Sequence, residues 1–152
     1  MALTVHHEAR GEPFIGQVAV ALVLRNRSEK YDTSVCWETF RHAQFSWTLH
    51  PSKLRALPAG KDWNEALRVA RYVLSDSADF TGGATHYHLL GIRPHWAGSM
   101  KIVGQWGDHV FYRPRSQSVY NGGSLLRKCF RYDALGLRQR EVPCATRKPV
   151  IQ

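Results

Sequence analysis

Cysteine, methionine, acidic residues and long apolar runs are all scarce in this 152-residue chain. Its three cysteines, Cys36, Cys129 and Cys144, are irregularly spaced and form no C-x-x-C pair, so neither a zinc knuckle nor a disulfide framework is indicated. No apolar stretch approaches the roughly 20 residues that span a bilayer. Residues 1–10 show no basic segment followed by an apolar one, so we expect no secretory signal.

The shortage of acidic residues leaves a formal net charge of +9, from 21 lysines and arginines against 12 aspartates and glutamates. Residues 1–112 hold 12 basic and 10 acidic side chains, whereas residues 113–152 hold 9 and 2. Such a basic C-terminal segment favours nucleic acid, an anionic membrane surface or anionic polymers. Because no recognisable nucleic-acid-binding module is present, we expect no nucleic-acid partner.

The length and the hydrophobic fraction of 43% fit one globular domain. Apolar spacing predicts helices over residues 2–8, 14–27 and 35–40, and a fourth that starts at Asp62 and ends near Ser75. The second helix should bury one apolar face, and Asn26 at its end should bind neighbouring backbone. In the fourth, Asp62 and Glu65 have the spacing of a capping box.

Three short strands are predicted after these helices. Residues 85–89 alternate, which places His86 and His88 on one face and Tyr87 on the other. Residues 101–106 and 109–112 form the other two strands, joined by a tight Gly-Asp turn. Residues 125–137 are either a short cationic amphipathic helix or a loosely packed basic extension. The predicted fold class is α+β, with helices carrying a small antiparallel sheet.

The turn between the first two predicted helices carries two carboxylates four residues apart, Glu8 and Glu12, around a glycine and before a proline. Glu8 would end the first helix and Glu12 would begin the second, where negative charge is favourable. A half-buried glutamate at a helix end can have its pKa raised toward neutrality and then protonate a leaving oxygen. The spacing alone favours a simpler interpretation, a surface acid followed by a helix-start acid.

Residues 7–13 (HEARGEP), 16–21 (GQVAVA) and 24–27 (LRNR) resemble the opening of the SleB/CwlJ-type cell wall hydrolases. The resemblance continues, in the same order, through residues 44–47 (QFSW), 81–88 (TGGATHYH), Pro94 with Trp96, and residues 107–113 (GDHVFYR). That family includes spore cortex-lytic enzymes and single-domain phage endolysins. We therefore expect a catalytic domain over residues 1–113, and over 114–152 a basic extension of the same domain, partly disordered at its end.

The resemblance implies a lysozyme-like, lytic transglycosylase-like domain that needs no cofactor or metal. It would cleave the β-1,4 bond between N-acetylmuramic acid and N-acetylglucosamine in peptidoglycan, either as a lytic transglycosylase or as a muramidase. Glu8 matches the catalytic acid/base. Glu12 would have a structural role, binding Arg10 or backbone N–H groups, although the two glutamates could exchange roles.

Five further residues are implied as substrate contacts or neighbours of the cleft. The segment with Gln44 and Ser46 faces the sugar chain in the related family. Tyr87 and His88 match the strand that borders the cleft, and Trp96 could stack on a sugar. Tyr87 could equally be a core residue, and Trp96 a loop anchor.

Two other functions remain open from the sequence. Glu8 with five histidines could bind zinc in an amidase or peptidase, although Gly11 stands where an H-E-x-x-H motif needs its second histidine; these histidines are His6, His7, His86, His88 and His109. A non-enzymatic wall-binding module, held by aromatic residues and the basic segment, would tolerate the loss of Glu8.

The remaining expectations concern biology. Without a signal segment, the protein would be made in the host cytoplasm and would reach the cell wall only after release. This fits a monomeric phage endolysin, with a germination enzyme as the alternative. The basic C-terminal segment could contact anionic membrane or lipopolysaccharide.

Overall fold

The computed structural model describes residues 1–54, 57–75 and 77–115, together with the backbone of residues 128–132 and 138–143. The chain forms two compact units, Met1–Ser116 and Gln117–Gln152. The first unit holds four α-helices and three strands: α1 (Ala2–Glu8), α2 (Phe14–Tyr31), α3 (Val35–Phe40), α4 (Lys61–Leu74), β1 (His86–Leu89), β2 (Met100–Trp106) and β3 (His109–Pro114). Short 3-10 turns cover Ser46–Leu49, Pro51–Lys53 and His95–Ser99.

Helix α2 is the centre of the first unit. It runs four residues beyond its predicted end, to Tyr31, and stops where Asp32 adopts a left-handed conformation with φ 52°. The prediction of a single apolar face was wrong, because residues 16–24 are buried all round the helix. Ile15, in the first turn of the helix, is 45% exposed although its side chain is apolar.

Three groups of neighbours surround α2 and explain its complete burial. On one side it packs against α1 and α4, through Val18, Ala21, Leu22, Val5, Ala66, Val69 and Val73. On a second side it meets the sheet, through Ala19, Val20, Val23, Ala84 and Phe111. Leu24 packs against the aromatic side chains of Phe45 and Trp47, both of which belong to the core.

Helix α4 begins one residue earlier than predicted, at Lys61, after Gly60 as its N-cap residue. No side chain caps the helix, so the predicted capping box is wrong. With this earlier start Asp62 lies inside the first turn, and the Glu65 carboxylate instead accepts a 2.6 Å hydrogen bond from Arg68. Leu74, the last residue of the helix, is 61% exposed.

The sheet confirms the three predicted strands. Its order is β1-β3-β2, antiparallel throughout, with Tyr87 opposite Phe111 and Trp106 opposite His109. The predicted two-residue turn joins β2 to β3, and Gly107 adopts a φ of 62° there, which glycine allows at little cost. Within the described ranges, no helix combines the length and the apolar character needed to cross a bilayer.

In the second unit the described backbone is an antiparallel pair, β4 (Lys128–Tyr132) with β5 (Arg138–Pro143). The amphipathic-helix alternative for residues 125–137 is therefore wrong over β4. Two aromatic residues in five, Phe130 and Tyr132, favour a strand when a partner strand is available. The expected loose packing and terminal disorder of this segment concern residues outside those that the structure describes.

Candidate active site

The acidic turn sends its two carboxylates to different places. Helix α1 ends at Glu8, as predicted, and the chain reverses through Gly11, whose φ is 90°. The N–H of Glu12 donates to the carbonyl of Ala9 (3.1 Å), and α2 begins at Phe14. Glu8 consequently faces a pocket next to β1, whereas Glu12 faces the turn between β2 and β3.

Glu8 is half-buried and held by one hydrogen bond, because the hydroxyl of Tyr87 donates to its Oε2 at 3.1 Å. Burial raises the pKa of Glu8 above its ordinary value. The Tyr87 hydrogen bond and the positive charges of Arg27 and Lys53 oppose part of that rise. A carboxyl in this setting keeps its proton to higher pH than an exposed one and can act as a proton donor.

The pocket beside Glu8, called here the Glu8 pocket, has a volume of about 360 Å³. Small-molecule sites span about 300–1,000 Å³, so one or a few sugar rings are a reasonable match. Four of the predicted site residues meet in it: Glu8, Gln44, Tyr87 and Trp96. The rest of its lining was not predicted as substrate-binding, namely Arg27, Ala43, Phe45 and His86.

Ser46, His88 and Arg10 lie away from the Glu8 pocket. Ser46 is exposed at the start of a 3-10 turn. Residues two apart share a face in an extended strand but not in such a turn, so Ser46 does not follow Gln44 into the pocket. His88 shares a strand face with His86, but its Nε2 lies 2.8 Å from the Tyr112 hydroxyl, in a different cavity. Arg10 is exposed at the turn.

The ring of Trp96 packs against both His86 and His88. Its ring centroid lies 5.2 Å from that of His86, 5.8 Å from that of His88 and 5.4 Å from that of Tyr112. It is therefore an anchor for its loop and also a wall of the Glu8 pocket, so the two interpretations open from the sequence are compatible.

Glu12 fastens the acidic turn to the sheet. Its Oε2 accepts a hydrogen bond from the Asp108 N–H (3.0 Å), and its Oε1 lies 3.1 Å from Nδ1 of His109. Its carbonyl accepts a further bond from the Gln17 side chain (3.0 Å). One of the two partners suggested for Glu12, a backbone N–H, is thus present, while Arg10 is not among its partners in the described chain.

Arg27 and His86 line the Glu8 pocket, although the sequence did not predict them as substrate contacts and considered His86 only as a zinc ligand. Arg27 is only 5% exposed, and its Nε donates to the Thr85 carbonyl at 2.6 Å. The pKa of His86 is lowered to about 4, first by burial and then by the charges of Arg27, Lys30 and Arg41, so its imidazole is neutral at pH 7. Both residues lie in motifs that carry the family resemblance, but only the fold shows that they share a pocket.

The loop before β1 is held by the end of α2. Asn26 donates from Nδ2 to Asp79 Oδ2 (3.1 Å) and to the Ala84 carbonyl (3.0 Å). Asp79 in turn accepts from the N–H groups of Thr81 and Gly83, each at 2.8 Å. The prediction that Asn26 binds neighbouring backbone was wrong, since these partners are more than 50 positions away.

The histidines that the zinc hypothesis needs are dispersed. His6 packs edge-on against Trp63 and His7 stacks on Trp47, with centroids 6.0 and 4.6 Å apart. His109 faces Glu12. Across residues 1–54, 57–75 and 77–115, no three histidine, cysteine or acidic side chains are grouped so as to hold a metal ion. The donor set that this alternative requires is therefore not assembled around Glu8 there.

Among known protein families, the cell wall hydrolases match residues 11–112 of this chain. The chain belongs to the cell wall hydrolase family. This confirms the resemblance to SleB/CwlJ-type enzymes. The match includes Glu12 and most of the Glu8 pocket, and it begins three residues after Glu8.

Spore cortex-lytic enzymes are among the relatives of this cell wall hydrolase. Those of Halalkalibacterium halodurans and Oceanobacillus iheyensis are each 32% identical over 115 residues, which is 73% of this chain. The matched segment covers 33% and 39% of these enzymes, so the chain spans little more than a third of the curated relatives it matches.

Two solved catalytic domains share the fold. The SleB catalytic domain of Bacillus cereus is 28% identical and superimposes with a TM-score of 0.56. The match covers 74% of this chain and 86% of the Bacillus cereus chain. The catalytic domain of the germination-specific lytic transglycosylase SleB of Bacillus anthracis is 27% identical with a TM-score of 0.59, covering 74% and 90%. The predicted lysozyme-like α+β fold is confirmed.

A Tyr87→Phe variant tests the hydrogen bond to Glu8. That bond lowers the pKa of Glu8, so its loss should raise this pKa further. If Glu8 acts as an acid, activity falls as pH rises through its pKa, and the basic limb of the kcat/KM profile should move to higher pH. A limb that stays in place or moves to lower pH would contradict this function of Tyr87.

A second pH effect concerns stability. The pKa of Glu8 is higher in the folded protein than in the unfolded protein. The contribution of Glu8 to folding stability is therefore complete below the pKa of the unfolded state, and it is lost as pH rises through the pKa of the folded state. Glu8→Gln should therefore have a larger free energy of unfolding than the wild type at pH 7, and a similar one at pH 4. Urea denaturation at both pH values measures this. A smaller free energy of unfolding for Glu8→Gln than for the wild type at pH 7 would contradict this prediction.

Proposed function

We propose that this chain degrades peptidoglycan by cleaving the β-1,4 bond between N-acetylmuramic acid and N-acetylglucosamine. The observation that carries the proposal is Glu8, a half-buried carboxyl with a raised pKa that faces a pocket of sugar-binding dimensions. Tyr87 orients this carboxyl, and the neutral imidazole of His86 and the ring of Trp96 line the space in front of it.

The mechanism begins with Glu8 protonated. Its proton passes to the glycosidic oxygen as the bond to the muramic C1 breaks, and the resulting carboxylate is then a base. It accepts a proton either from the 6-hydroxyl of the same muramic ring, which closes on C1 as a 1,6-anhydro bond, or from a water molecule. The buried positive charge of Arg27 stabilises the carboxylate between the two steps.

A single catalytic glutamate fits the lining of the Glu8 pocket. Glycosidases that use a second carboxylate as nucleophile or base place it roughly 5–10 Å from the first. Among the described lining residues Glu8 is the only carboxylate, and Glu12 is bound to Asp108 and His109 instead. This favours a nucleophile supplied by the substrate, as in lytic transglycosylases. The Bacillus anthracis neighbour is a germination-specific lytic transglycosylase, which supports the same reaction.

The biological setting is also proposed. A monomer made in the host cytoplasm and released onto the wall fits a phage endolysin, and a germination enzyme is the alternative that the cortex-lytic relatives support. The basic residues of 113–152 would assist by contacting anionic membrane or lipopolysaccharide.

Identification of the bond that is cleaved in peptidoglycan tests the proposal. Purified peptidoglycan sacculi are incubated with the full chain, with and without EDTA, and the soluble products are analysed by mass spectrometry. Disaccharide-peptide fragments, released equally with EDTA, are expected. Free stem peptides that disappear with EDTA would indicate a metal-dependent amidase or peptidase, and binding without any release would indicate a wall-binding module. Either result would contradict the proposal.

A further inference from the structure

A second cavity lies next to β1, and at about 660 Å³ it is larger than the Glu8 pocket. It is called here the sheet pocket. Ala97, Met100 and Tyr112 contribute buried side chains to it. Its full lining is His88, Gly91, Ile92, Arg93, Ala97, Gly98, Met100, Lys101, Ile102, Tyr112 and Arg115.

The charge of the sheet pocket has one sign. Arg93, Lys101 and Arg115 line it and are exposed, and no acidic residue is among the eleven lining residues. In the part of the chain described with side chains, neither Arg93 nor Lys101 forms an ion pair. Arg115 makes one long hydrogen bond, from Nη2 to the Gly98 carbonyl at 3.5 Å. Three cations around an apolar cavity attract a ligand that carries carboxylates or phosphates.

The sheet pocket is close enough to the Glu8 pocket for one substrate to occupy both. His86 lines the Glu8 pocket and His88 lines the sheet pocket, two residues apart on one strand face. Two residues of a strand span about 7 Å. The ring of Trp96, which lines the Glu8 pocket, packs against both imidazoles.

We propose that the sheet pocket binds the acidic peptide stem of the glycan strand whose sugars occupy the Glu8 pocket. This rests on the proposed function. Each stem branches from a muramic sugar, carries several carboxylates and includes alanine methyl groups, which match the cations and the apolar lining. The short distance between the pockets favours a substituent of the bound sugar over a separate anionic lipid. His88 would then contact substrate from the sheet pocket.

The experiment compares glycan strands with and without stems, uses phosphatidylglycerol vesicles as a third ligand, and measures one double variant against its control. A Glu8→Gln chain, which binds without turnover, is measured by calorimetry against soluble uncross-linked glycan strands, with their stems and after enzymatic removal of the stems. Adding Arg93→Gln and Lys101→Gln changes two exposed side chains and should leave the fold intact. Lys61→Gln combined with Arg71→Gln, at two exposed positions on α4, removes the same number of positive charges and is the control.

The double substitution should weaken binding of strands with stems by about five- to tenfold and leave binding of stripped strands unchanged. The difference should shrink as salt is raised. Equal losses with both ligands, or no loss, would overturn the proposal. Undiminished binding of strands with stems, together with lost binding to phosphatidylglycerol vesicles, would assign the pocket to lipid instead. Cleavage of the strands by Glu8→Gln would contradict the proposed function separately.

Discussion

Glu8→Gln is expected to reduce the rate of peptidoglycan cleavage by about 10²–10⁴-fold, the usual contribution of a positioned general acid. Glutamine retains the shape of the side chain and can still accept the Tyr87 hydrogen bond. Its amide group, however, has no acidic proton to transfer to the glycosidic oxygen. Release of soluble fragments from dye-labelled sacculi, at several enzyme concentrations, measures the loss.

The matched control is Glu29→Gln. Glu29 lies on α2 with its side chain 69% exposed, and its only ion-pair contact in the described chain, 3.8 Å to Arg25, is long. This variant should retain wild-type activity. If Glu8→Gln also retained more than about a tenth of the wild-type rate, Glu8 would not be the acid.

Gly107→Ala is expected to lower the free energy of unfolding by about 2–5 kcal/mol. Gly107 has a φ of 62°, and a Cβ added there would overlap Glu12 Oε2. The substitution therefore strains the β2–β3 turn and displaces the carboxylate that binds the Asp108 N–H and faces His109. Urea denaturation measures the change, and the dependence of the free energy of unfolding on urea concentration should be the same in the variant and the wild type.

Gly82→Ala separates backbone strain from the steric overlap. Gly82 has nearly the same φ, 60°, but a Cβ there would meet nothing within 4 Å. Its loss should be smaller, about 1 kcal/mol. Equal losses in the two variants would mean that contact between the turn and Glu12 contributes little to stability.

Local features of the fold could be read from the sequence. Helix α1 ends at Glu8 because a glycine and a proline follow within five residues, and the strand alternation of residues 86–88 correctly separates Tyr87 from the two histidines. The Gly-Asp dipeptide likewise predicted the β2–β3 turn. Each of these depends on a few neighbouring residues.

Features that depend on distant partners could not be read in this way. The complete burial of α2 results from packing on three sides, which a helical periodicity does not reveal. Asn26 binds a loop more than 50 residues away, and Arg27 reaches the Thr85 carbonyl over a similar separation. The site was consequently predicted as a list of motif residues. Only the folded chain shows that Arg27 and the neutral imidazole of His86 line the pocket beside Glu8.

The most direct measurement of the central claim is mass analysis of the sugar ends released from purified peptidoglycan by the wild type, Glu8→Gln and Glu12→Gln. We expect 1,6-anhydromuramic ends from the wild type and from Glu12→Gln, and none from Glu8→Gln. If Glu8→Gln produced anhydro ends and a folded Glu12→Gln variant produced none, the catalytic acid would be Glu12, which faces the sheet turn, and not Glu8.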